Sequence, residues 1–295
     1  MARLRTSTQS LTLALLCLAP VSGEAAIVEE IVWLPVFVTA SDGARSRYEI
    51  TVTVFRDDER AKAPFLVLNH GRSGSAGERA RFGRSRYSEA SRWFVEQGFA
   101  VFLPTRLGYG VTGGPDLDRT GPCELRDFAP GFAAAAQQSE AVVAYAKSQR
   151  YVRADRGLLV GQSYGGATTL ALLAKNIDGV LGGVNFAGGS GGNPGRRPEA
   201  PCSPAELARV IASYGATSRR PSLWLYAEND RYWGTVHPRQ WFDGFRASGG
   251  VGEFVTLPAY GDDGHSSFSR NPDAWRPHVL RFLKSLGLTG RDDPR

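Results

Sequence analysis

A serine between two glycines can serve as a nucleophile where a tight turn lifts its hydroxyl clear of the backbone, and this chain has two such serines. Ser163 lies in Gly161-Gln162-Ser163-Tyr164-Gly165 and Ser190 in Gly188-Gly189-Ser190-Gly191-Gly192. With 35 Gly in 295 residues, chance supplies roughly a third of one G-x-S-x-G match, so the flanking sequence has to decide. Ser163 follows the apolar run "GLLVG" and precedes "YGGATTLALLAK", which puts it at a strand-to-helix turn. Ser190 is followed by Pro194, Pro198, Pro201 and Pro204; these rule out an immediate helix and leave a loop.

A serine hydroxyl is a poor nucleophile until a base takes its proton, and the chain offers four histidines. His70 directly follows the run "FLVLN", His237 begins a helical pattern and His278 lies inside the last one. His265, in "YGDDGHSSF", falls between the last apolar run and the last helical pattern and is the expected base. The base in turn needs a carboxylate to fix its tautomer. Asp230 in "ENDRY" follows the run "SLWLYA" and is the expected acid; Glu228 is an alternative, and Asp262 and Asp263 would have to fold back onto the base. Attack on a carbonyl creates an oxyanion, for which two backbone N–H groups should converge. Tyr164, directly after the nucleophile, would supply one and Arg72 in "NHGRSG" the other, with His70 bracing that loop.

These residues need elements that bring them to one place. Two early runs rich in β-branched residues, "IVEEIVWLPVFV" and "YEITVTVFR", flank "SDGARS" and read as an antiparallel pair. Beyond them, short apolar runs alternate with helical patterns over Arg79 to Gln97, Phe132 to Gln149, Tyr164 to Lys175, Pro238 to Ser248 and Pro272 to Leu286. That alternation predicts an α/β fold of about eight strands, mostly parallel, with helices on both faces. In such a sheet ligands bind beyond the carboxyl ends of the strands, and the candidate residues all fall in those loops. One rival, Gly108-Tyr109-Gly110-Val111-Thr112-Gly113, fits the dinucleotide fingerprint G-x-G-x-x-G. The following "GPDLDRTGP" cannot open the helix that would hold a pyrophosphate, so this stretch is expected to shape a pocket rim.

Strand, "HG", elbow serine, acid and histidine in the order Ser163, Asp230, His265 resemble the α/β-hydrolase superfamily. The stretches "LNHGRSG", "GQSYGG" and "ENDRYW" look closest to its dienelactone hydrolase-like branch, and the resemblance covers nearly all of the chain beyond residue 23. "LGYGVTGG" is also similar to the segment after the second parallel strand in prolyl-oligopeptidase and cocaine-esterase relatives. The resemblance implies an α/β-hydrolase fold and an acyl hydrolase. True dienelactone hydrolases use a cysteine nucleophile and are cytoplasmic, whereas this chain has Ser163 and a first stretch that reads as an export leader. A small-molecule ester is the expected substrate, because an ester needs less help with its leaving group than an amide, and the expected chemistry uses no metal and no organic cofactor. A serine peptidase or amidase of the prolyl-oligopeptidase type is one alternative. A non-catalytic binding protein on a hydrolase scaffold is another, and its signature would be a missing triad member. Arg72 with Arg106 would favour an acidic ester; Tyr232 and Trp233 would either line an acyl pocket or pack.

Composition sets the remaining bounds. Arg3 and Arg5, the apolar Leu11 to Leu18 and the small residues before Glu24 read as a signal peptide over 1-23, followed by a single catalytic domain over 24-295. The apolar stretch is well short of the ~20 residues a membrane-spanning helix needs, so no stable membrane anchor is expected and the protein should be periplasmic or extracellular. Loss of Arg3 and Arg5 lowers the formal charge from +6 by two. With no basic block interleaved with aromatics, no nucleic-acid partner is expected. Cys17 leaves with the leader, and the remaining Cys123 and Cys202 are expected to pair in an oxidising compartment, two separate buried thiols being the alternative. No C-x-x-C or His/Cys spacing suggests a metal site. Oligomeric state is not legible.

Overall fold

The computed structural model describes residues 26–119 and 121–289; the expected leader over 1–23 lies outside them. One eight-stranded sheet runs through the molecule: β1 (Ile27–Thr39), β2 (Arg45–Asp57), β3 (Ala63–Asn69), β4 (Ala100–Thr105), β5 (Val152–Gln162), β6 (Val180–Phe186), β7 (Ser222–Ala227) and β8 (Gly252–Leu257), in the order β1-β2-β4-β3-β5-β6-β7-β8. The first two form the expected antiparallel hairpin, β2 also meets β4 antiparallel, and β3 to β8 are mutually parallel. Among the described residues no helix is long and apolar enough to cross a membrane.

Side chains alternate across a strand, and the central strands are apolar on both sides, so the sheet divides two cores. Phe65, Val67, Leu159, Trp224 and Tyr226 point to one core, shared with α3 (Ala129–Ser148), α4 (Tyr164–Leu173), α5 (Pro204–Thr217) and α6 (Val236–Ala247). Leu66, Leu68, Leu158, Val160, Leu223 and Leu225 point to the other, covered by α2 (Ser88–Glu96), α7 (Ser267–Arg270) and α8 (Pro272–Ser285). Burial on both faces is what the near-continuous apolar runs encode.

Two helical expectations need correction. The pattern from Arg79 to Gln97 is broken into α1 (Ala76–Ala80) and α2. The Arg79 and Gly83 carbonyls accept from the N–H groups of Gly110 and Val111 instead of continuing a helix, and Gly83 stands at φ +72°. After β6, the proline-rich loop ends in a helix that the sequence did not reveal. Pro204 opens α5 at its first position, where a missing N–H costs nothing.

The chain leaves β3 toward β4 on one side and returns to β5 on the other. This reversal of strand order is a topological switch point, and it opens a crevice at the carboxyl ends of β3 and β5.

Candidate active site

Ser163 sits in that crevice between β5 and α4, with φ 57° and ψ −121°. A non-glycine residue holds such a backbone only when its surroundings impose it. The imposition comes from close backbone packing: a Cβ at Gly161 would clash with the Gly165 carbonyl, and one at Gly165 with the carbonyls of Asn69 and His70. Both flanking glycines are therefore required by contact, and the turn presses the elbow directly onto the loop after β3.

Asp230 follows β7 and is fully buried. Its Oδ1 accepts from the N–H groups of Tyr232 at 2.9 Å and Trp233 at 3.2 Å, which leaves Oδ2 to accept from His265 Nδ1 at 2.9 Å. His265 Nε2 lies 3.0 Å from Ser163 Oγ. The structure thus brings the expected nucleophile, base and acid into one hydrogen-bonded chain, and Glu228 stands exposed instead. With Nδ1–H committed to Asp230, Nε2 presents a lone pair to the serine hydroxyl.

The imidazole is also fixed by contacts that sequence reading missed. Tyr232 stacks on it with ring centroids 4.0 Å apart. Asp263 Oδ1 accepts from the N–H groups of both His265 and Arg231, and the Asn229 carbonyl accepts from Gly264 N–H. These bonds stitch the loops after β7 and β8 together. Gln162 Nε2 donates to the His265 carbonyl, and Tyr87 donates its hydroxyl to Gln162 Oε1 while accepting from Gly71 N–H. A polar residue in a loop gives no sequence signal of such a partner.

Arg72 and Tyr164 border the cavity above Ser163, and neither N–H meets an acceptor among the described residues. The cavity measures about 660 Å³ and is walled by Tyr232, Trp233 and the bonded pair Cys123 and Cys202. Trp233 is buried and donates Nε1–H to the Ala187 carbonyl at 2.7 Å, so it both packs and lines. Ser190 also borders the cavity, but in a loop, and among the described residues no histidine is bonded to it.

Two other readings are corrected. Arg106 is wholly buried against Asp118, and Arg72 forms a bidentate pair with Asp116 at 2.7 and 2.8 Å. Both guanidiniums are committed to carboxylates of this chain, so the pair gives no support for an acidic ester. The Gly108–Gly113 turn, expected on the pocket rim, contributes no residue to the cavity lining, and its buried Tyr109 donates instead to Asp118 at 3.1 Å. Among the described residues no group of three or more His, Cys, Asp and Glu side chains is arranged to hold a metal ion.

No family model and no curated protein matches the sequence. Solved structures do resemble the fold. An esterase of Pyrococcus furiosus is 13% identical with a TM-score of 0.56 over 86% of this chain and 90% of that one. A dienelactone hydrolase-like promiscuous phosphotriesterase from metagenomic libraries is 17% identical with a TM-score of 0.56, covering 87% and 98%. The acylaminoacyl peptidase of Pyrococcus horikoshii is 14% identical with a TM-score of 0.57 over 90% of this chain but 43% of its own. The likeness is one of architecture, and this chain has the α/β-hydrolase fold.

Proposed function

We propose that the chain is an exported serine hydrolase that cleaves carboxylic esters through Ser163, His265 and Asp230, as one catalytic domain over 24-295. The observation that carries this reading is the unbroken hydrogen-bonded path from Ser163 Oγ through the His265 ring to buried Asp230, at the base of a cavity sized for a small molecule. The esterase and dienelactone hydrolase-like names among the fold's neighbours support the same class.

In this mechanism His265 Nε2 takes the proton of Ser163 as Oγ bonds to the ester carbonyl carbon. Asp230 stabilises the imidazolium, and the N–H groups of Arg72 and Tyr164 hold the oxyanion. Collapse breaks the bond to the alkoxide, which leaves with the proton from Nε2. Water then attacks the acyl-enzyme by the same steps, releasing the acid and restoring Ser163. An ester is preferred to an amide because an alkoxide or phenoxide leaves with less protonation than an amine. Export is supported by residues 1–23, which read as a leader, and by the bond between Cys123 and Cys202, since disulfides persist in oxidising compartments.

The test is the intact mass of the purified protein before and after a fluorophosphonate, with Ser163→Ala as control and short p-nitrophenyl esters and anilides as substrates. One adduct, absent in Ser163→Ala, with ester turnover exceeding anilide turnover, is the expected result. A folded protein with neither adduct nor turnover would leave only a binding role on this scaffold; anilide turnover exceeding ester turnover would reassign it as an amidase.

A further inference from the structure

Arg106 holds the Gly71–Arg72 peptide from behind. The residue follows β4 and is wholly buried. Its Nη1 donates to the His70 carbonyl at 2.5 Å and its Nη2 to the Gly71 carbonyl at 3.1 Å, while Nε and Nη2 donate to Asp118 Oδ2 at 3.2 and 2.9 Å. The Arg106 N–H donates to His70 Nε2 at 3.0 Å. This leaves the ring proton on Nδ1, which donates to the same Gly71 carbonyl at 2.7 Å. Two donors from different elements therefore meet on one oxygen.

That oxygen belongs to the peptide unit that ends in the Arg72 N–H. A trans peptide is planar and its N–H points opposite to its C=O. Holding the Gly71 oxygen against Arg106 and His70 turns the Arg72 N–H away from both, on a residue that lines the cavity with Ser163 and Tyr164. A cation at the carbonyl end also polarises the unit, which strengthens its N–H as a donor. The same guanidinium lies 5.1 Å from the ring centroid of Tyr164, the residue that carries the second N–H. A buried arginine needs a carboxylate, and Asp118 supplies it; that need accounts for neither carbonyl contact.

We propose that Arg106 is the positioning residue of the oxyanion site, aligning the Arg72 N–H through the Gly71 carbonyl and packing beneath Tyr164. It touches neither substrate nor nucleophile, and its role rests on the ester hydrolase reading above. Asp118 and His70 serve it, one by neutralising the guanidinium and the other by sharing the carbonyl.

The experiment compares an ester with its thionoester in the wild-type protein, in Arg106→Lys and in the double variant Arg106→Met with Asp118→Asn. Lysine keeps the charge against Asp118 but lacks the fork that spans two carbonyls and a carboxylate; the double variant leaves no buried charge unpaired. Sulfur is a weak acceptor, so a thionoester gains little from an aligned N–H. Losing one oxyanion donor costs about 10²–10³ in rate, so a displaced one is expected to lower ester kcat by about 10–100-fold. KM and the thionoester rate should stay within about threefold in samples that melt cooperatively. Equal losses on both substrates, a loss confined to KM, or unchanged kcat in either folded variant would overturn the assignment of Arg106. A wild-type protein that neither labels at Ser163 nor turns over ester would instead overturn the hydrolase reading, and this inference with it, before any variant is compared.

Discussion

His265 has both ring nitrogens committed, Nδ1 to Asp230 and Nε2 to Ser163, and this makes the site sensitive to a change of one atom. In Asp230→Asn the amide oxygen can keep the two N–H bonds from Tyr232 and Trp233, so the loop should hold its shape. The amide nitrogen then faces Nδ1 and forces the proton onto Nε2, where it can no longer accept from serine. We expect kcat to fall by about 10⁴-fold with little change in melting temperature; steady-state kinetics beside a thermal melt would check both. His70 supports a second residue-scale prediction. Burial, and after it the Arg106 charge, hold its pKa well below the usual 6.5, so the folded protein keeps the ring neutral while the unfolded chain takes up a proton. Stability from this source is complete above about pH 6.5 and is lost as pH falls below it, by at most about 1.4 kcal/mol per pH unit. His70→Gln should flatten the decline of denaturation midpoint between pH 7 and pH 5, and an equally steep decline in the variant would remove His70 as its source.

Elements act here through where they stop. The strand-to-helix turn between β5 and α4 presses Gly165 against the carbonyls of Asn69 and His70, so the elbow and the loop after β3 are held in fixed relation. Gly165→Ala should destabilise the protein by about 1–3 kcal/mol and lower the activity of the molecules that remain folded, read from denaturant unfolding and from titration of active sites. Wild-type stability in that variant would mean that the two loops are free to separate. Strands β3 to β8 were legible because each contains a short apolar run between polar breaks, and their parallel order followed from the helical patterns between them. The break between α1 and α2 and the start of α5 were not. The first depends on carbonyls captured by Gly110 and Val111, and the second on a proline that ends a loop and opens a helix at the same residue.

Across the whole molecule, Cys123 and Cys202, 79 residues apart, tie the loop after β4 to the loop after β6 over the cavity. A bond closing a loop of that length contributes about 4 kcal/mol in the chain-entropy picture. Cys123→Ser with Cys202→Ser should lose about 2–4 kcal/mol of unfolding free energy, and reductant should lower the wild-type denaturation midpoint and leave that of the double variant unmoved. A wild-type midpoint insensitive to reductant would show that the tie adds nothing to stability. The amino-acid sequence by itself determined the parallel sheet and the strand ends from which Ser163, Asp230 and His265 project, because apolar periodicity and glycine spacing are local properties of the chain. It also singled out both cysteines. Only the tertiary structure put Asp230 rather than Glu228 against His265, committed Arg72 and Arg106 to Asp116 and Asp118, and set Tyr87, Gln162 and Asp263 as braces. The partner of a polar side chain is fixed by packing between loops far apart in sequence, and residue type alone does not distinguish a buried clamp from a solvated surface.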